Sequence, residues 1–132
     1  MLNVFPIQFL ALFAYFILRV FVGSVLLYFG LLHFNTRHTL KEVLTLSWWP
    51  FGLLSTLLLS LTEIILAVMI TFGILTQIAA LVLTLLCLKM IILRGYFNHE
   101  VIPPRIVYIL LLGAALSLFI TGAGAFAFDL PL

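Results

Sequence analysis

Three charged side chains stand where water does not reach. Glu63 lies inside the apolar run LLLSLTEIILAVMI, residues 57–70. Arg19 follows a long apolar stretch near the N-terminus, and Lys89 lies within another. A charge at the centre of a membrane helix costs about 2.5–3.5 kcal/mol, so such residues turn inward and find partners. A buried acid and base can neutralise each other, pass a proton or grip a polar ligand. At about 1.5 Å per helical residue, Arg19 precedes Phe34 by roughly 22 Å and Glu63 follows Phe51 by roughly 18 Å. On adjacent antiparallel helices these depths are similar. The sequence therefore predicts an Arg19–Glu63 ion pair, serving either as a proton-handling or polar-ligand site or as a structural lock on helix register.

The residues around this pair form stripes at three- and four-residue spacing. One carries Tyr15, Arg19, Gly23, Gly30 and His33, and a second carries Thr56, Ser60, Glu63, Ala67 and Thr71. A third has Gln77, Ala80, Thr84 and Cys87, and a fourth has Gly113, Ser117 and Thr121. Gly23 and Gly30 would admit a close-packed neighbour. His33, Ser60 and Gln77 are the candidate ligand contacts beside Arg19 and Glu63. His33 reads first as an ordinary interfacial histidine near one membrane face, with a proton relay there as the alternative. Lys89 falls about 200° round its helix from Cys87, off the stripe, and is expected to snorkel to the boundary.

Other chemistries find no support. His33, His38 and His99 lack metal-ligand spacing, so no metal site is expected. No nucleotide-binding, zinc-protease or nucleophile-elbow motif occurs. Cys87 is the only cysteine, which excludes an internal disulfide and leaves an inert buried thiol as the expectation. With a net charge of +2 and no basic patch, nucleic acid is not an expected partner.

The elements that must position these residues are membrane helices. Of 132 residues, 66% are hydrophobic and 8% charged, too apolar for a water-soluble domain of this length. The expected fold is all-α, a single integral-membrane domain over 1–132. It is a four-transmembrane-helix bundle with spans at about 9–34, 51–72, 76–93 and 105–121. FGILTQ forms a tight hairpin between the second and third. Thr39 and Glu42 read as a capping box that starts a short interfacial helix, EVLTLSWW, ended by Pro50. Pro103 and Pro104 keep the last connection extended. The N-terminus lacks a positive leader region and reads as mature sequence. Arg37, Lys41, Arg94 and Arg105 lie in or beside the two long connections. The positive-inside rule puts those loops in the cytoplasm and both termini outside.

The collected residues resemble the DoxX family of small four-helix membrane proteins over about 17–129. LRVFVGSVLLYFGLLHF is similar to the family's first span. LTEIILAVMITFGILTQIAAL is similar to its second, with Glu63, then Gly73 before the turn, then Thr76 and Ala79–Ala80. GAGAFAFD resembles the family's C-terminal motif through Gly122, Gly124 and Asp129. His33 stands where the family often has lysine, Ala123 where it has proline, and Ala127 where it has serine.

The resemblance implies a prokaryotic plasma membrane protein whose relatives include a subunit of a thiosulfate:quinone oxidoreductase and membrane partners of redox enzymes. One expectation is thus a quinone-linked redox protein or subunit of a membrane oxidoreductase complex. Arg19 would hydrogen-bond the quinone and Glu63 would pass protons. No cofactor is evident in the sequence itself, so electrons would come through a bound quinone or a partner subunit. The other expectation is a non-catalytic scaffold or accessory subunit, and a less favoured third is a carrier, for which so short a chain would need to form a homo-oligomer.

Overall fold

A computed structural model describes residues 8–43, 52–96, 100–124 and 127. These form five helices: α1 (Gln8–Asn35), α2 (Arg37–Val43), α3 (Gly52–Phe72), α4 (Thr76–Leu93) and α5 (Arg105–Thr121). Among the described residues there is no strand. Three helices are long and apolar enough to cross a membrane, and α5 is a shorter apolar helix of 17 residues.

The outer surface is unlike that of a water-soluble domain. Arg19, His33 and Glu63 are buried, while Phe21, Ile92, Leu110 and Ile120 point outward with more than two-thirds of their surface exposed. An outer surface this apolar needs hydrocarbon around it. The interior is mixed: an apolar core that includes Leu26, Leu66, Ile70, Leu83, Met90 and Leu118 also encloses the polar side chains of Thr56, Ser60 and Thr84.

Helices α1 and α3 run antiparallel in close contact because two glycines on α1 remove side chains from the seam. A Cβ at Gly23 would overlap the Thr71 hydroxyl, and one at Gly30 would come within 3.2 Å of both the Ile64 nitrogen and the Glu63 Cβ. Seven residues separate the two glycines, which is two turns on one face. Helix α1 therefore ends opposite the middle of α3. Helix α2 then turns and packs along the first part of α3, with Leu40 fully buried.

The turn between α3 and α4 is a Schellman motif. The Ile74 amide donates to the Met69 carbonyl and the Gly73 amide to that of Ile70, with Gly73 at φ 68°. Leu75 follows at φ 47°, a left-handed conformation rarely held by a leucine. At the other end, Arg94 donates from Nε to Pro103 O at 3.0 Å and from Nη2 to Ile102 O at 3.4 Å, fastening the connection to α4. Gln77 Nε2 donates to Phe119 O at 3.3 Å near the hairpin end. These two ties set α4 and α5 antiparallel.

One local expectation needs correction. The Thr39–Glu42 capping box does not start a helix. Helix α2 begins at Arg37, and its first free amides at Thr39 and Leu40 donate to the Thr36 carbonyl. The polar pair reads as a cap in sequence, but the chain has already turned helical one residue after α1 ends. Trp48, Trp49 and Pro50 lie outside the described residues.

Candidate functional site: a buried acid–imidazole pair

Glu63 occupies the middle of α3, 11 residues from Gly52 and nine from Phe72. Its partner is His33, two residues before the end of α1. The separation between His33 Nδ1 and Glu63 Oε2 is 2.6 Å, and both side chains are almost completely buried. So short a contact between buried groups is a charge-assisted hydrogen bond. The imidazole leans on Phe29, one turn earlier, with ring centroids 6.2 Å apart. Gly30 brings α1 close enough for the bond to form.

The expected Arg19–Glu63 pair is not formed. Arg19 is 14 residues from His33 on the same helix, roughly 21 Å away. It sits at the hairpin end, where its guanidinium lies against Gly73 and faces the Phe16 ring at 5.7 Å. The error came from measuring both depths from helix ends assumed coplanar. Because α2 covers the first part of α3, α1 stops short, and Arg19 shifts by several turns relative to Glu63. Its actual place is favourable in another way: the C-terminus of α3 presents a partial negative charge to a cation.

The remaining sequence candidates separate. Ser60 is buried on the Glu63 face and donates to Leu57 O at 3.1 Å. Gln77 is exposed and serves as the α4–α5 tie. Lys89 is exposed, as snorkelling requires, and His38 is exposed on α2. His99 lies outside the described residues. Among the described residues, no cluster of three or more His, Cys, Asp or Glu could hold a metal.

Two further groups share the level of the pair. Glu63 is ten residues before Gly73 and Cys87 is 12 after Leu75, so each lies roughly 15–18 Å from the turn. Tyr108 is 11 residues before Phe119 and Cys87 is ten after Gln77, again within about one turn of each other along the tied helices. Cys87 and Tyr108 are both at least 98% buried. Helices α1, α3, α4 and α5 thus each carry one buried chemical group at a similar level: imidazole, carboxylate, thiol and phenol.

Sequence reading missed Tyr108. It favoured Gly113, Ser117 and Thr121, but Gly113 and Thr121 face outward, and Thr121 Oγ1 bonds Ser117 O within the helix at 2.7 Å. The buried stripe of α5 is Tyr108, Leu111, Ala115 and Leu118. Its three- and four-residue spacing was the available signal. Small polar residues that satisfy their own hydroxyls within the helix can face lipid.

This geometry defines an all-helical integral membrane protein organised around a buried acid–imidazole pair. The DoxX family model matches residues 14–96, most of the chain, and the chain belongs to the DoxX family. No curated protein and no solved structure matches it. The matched region contains Arg19, His33, Glu63 and Cys87, and ends before Tyr108.

Proposed function

We propose that this chain is a quinone-linked membrane redox subunit in which His33 and Glu63 together hold and transfer a proton, with α5 making a fourth crossing. The observation that carries this reading is the 2.6 Å bond between His33 Nδ1 and Glu63 Oε2 in the middle of the bundle. A pair with no role beyond neutralisation would be offset by no chemistry, since apolar replacements of a buried ion pair are often equally stable. An imidazole differs from lysine in offering a second ring nitrogen. With Nδ1 committed to Glu63, Nε2 is the position where a proton enters or leaves.

The buried polar atoms fit a quinone. His33 Nε2 and Tyr108 Oη are both buried and have no hydrogen-bond partner among the described residues. Either could meet a carbonyl oxygen, and the leucine- and phenylalanine-rich outer faces suit an isoprenoid tail. When bound, a quinone supplies an acceptor for two electrons and two protons. His33 would hold its headgroup and Glu63 would keep the imidazole oriented. Electrons would arrive from a partner subunit.

The test is extraction of quinone from protein purified out of native membranes, compared with Glu63→Gln. The expected result is quinone near one per chain in the parent and its loss from a folded Glu63→Gln protein. A folded parent without quinone would leave the pair as a structural lock in an accessory subunit.

A further inference from the structure

Tyr108 is the group in this layer that nothing in the bundle explains. Its hydroxyl is buried on α5 and has no hydrogen-bond partner among the described residues. His33 Nε2, on α1, is in the same condition. A buried polar atom without a partner is rare in native proteins and disfavoured, and tyrosine buried for packing alone is usually replaced by phenylalanine or finds a partner. Two such atoms at one level, on helices at opposite ends of the chain, point to one occupant serving both.

The packing agrees. Helix α1 lies closely on α3, and α4 lies closely on α5, but the two pairs meet along a thinner contact. His33, Glu63, Cys87 and Tyr108 lie at one level along these two pairs, each on a different helix.

We infer that Tyr108 and His33 form the two polar walls of one interior site that takes a molecule through a hydrogen-bonding oxygen. The phenol donates to that oxygen, and His33 Nε2 meets the occupant from the α1 side. Cys87 lines the site between them and contributes shape. This rests on the proton-transfer reading of His33 and Glu63, and adds the second wall. Two sources share the chemistry: a quinone carbonyl and an ordered water.

The experiment uses the full chain in lipid nanodiscs, with Tyr108→Phe beside Glu63→Gln. The probe is a short-chain benzoquinone whose binding is followed by tryptophan fluorescence and by the infrared carbonyl stretch. Proton exchange between buried water and the Tyr108 hydroxyl is read in parallel by magnetic resonance. Loss of one hydrogen bond should weaken benzoquinone binding about tenfold, equivalent to about 1.4 kcal/mol, and move the carbonyl band up in frequency without lowering the unfolding midpoint. If benzoquinone does not bind the parent but the Tyr108 hydroxyl exchanges with a buried water, the site stands with water in it and the quinone reading fails. Equal binding and an unmoved band in Tyr108→Phe would overturn the inference while leaving the quinone reading intact. Neither benzoquinone binding nor buried water would overturn both.

Discussion

Replacing Gly30 by alanine probes how the α1–α3 contact sets the site. The new methyl carbon would lie 2.8 Å from Ile64 Cγ1, 3.1 Å from the Ile64 nitrogen and 3.2 Å from Glu63 Cβ. Ordinary contact begins near 3.4 Å. The Ile64 side chain can rotate away, but its backbone nitrogen cannot, so α1 must retreat by at least 3.4 − 3.1 = 0.3 Å, and by 3.4 − 2.8 = 0.6 Å if the side chain stays. His33 is one turn along the same helix. A retreat of that size carries its 2.6 Å bond to Glu63 into the range of an ordinary hydrogen bond, about 2.9–3.2 Å. Overpacking costs about 1–3 kcal/mol, offset in part by about 1 kcal/mol from the better helix propensity of alanine. The assay is thermal unfolding in nanodiscs together with histidine-selective nitrogen resonance. Gly30→Ala should lower the midpoint slightly and move the His33 Nδ1 proton towards the position of a weaker bond. Gly23→Ala, two turns away, should cost stability with a smaller resonance shift. An unmoved His33 resonance in Gly30→Ala would refute the coupling between helix approach and pair geometry.

Other outcomes follow from the same contacts. His33→Leu leaves the Glu63 carboxylate buried without its partner and should cost about 3–5 kcal/mol, while His33→Leu combined with Glu63→Leu should recover most of that loss in chemical unfolding. Leu75→Gly relieves a left-handed leucine whose side chain is exposed and should raise stability by about 1 kcal/mol, read as a higher midpoint. Gly73→Ala forces a side chain into a left-handed turn against Ala127 and Arg19, and should lower the midpoint more than any other hairpin substitution. Gly113→Ala meets nothing within 4 Å and should be neutral or mildly stabilising.

The helices were legible in the sequence because their signal is local. The run of apolar residues sets length, and the Gly73 turn and Pro103–Pro104 set ends. The inward placement of Glu63 was legible for the same reason, since it falls on a small and polar stripe; His33 shares such a stripe but reads in sequence as interfacial, whereas it is buried against Glu63. The partner of Glu63 was not. Choosing between Arg19 and His33 requires the axial offset of α1 against α3, and no single helix encodes it. Gly30 packing on Ile64 and the docking of α2 on α3 decide that offset, and both are tertiary. Tyr108 was missed through a rule about composition, which favoured the small residues Gly113, Ser117 and Thr121 over the buried stripe of Tyr108, Leu111, Ala115 and Leu118.

The most direct test of the account is infrared difference spectroscopy of the full chain in nanodiscs as protons are added. In the parent, a carboxyl band from Glu63 and an imidazole band from His33 should change together. Glu63→Gln should remove the first and displace the second, and Arg19→Lys should alter neither. An imidazole change that is the same with and without the Glu63 carboxylate would contradict the shared proton on which the proposed function depends.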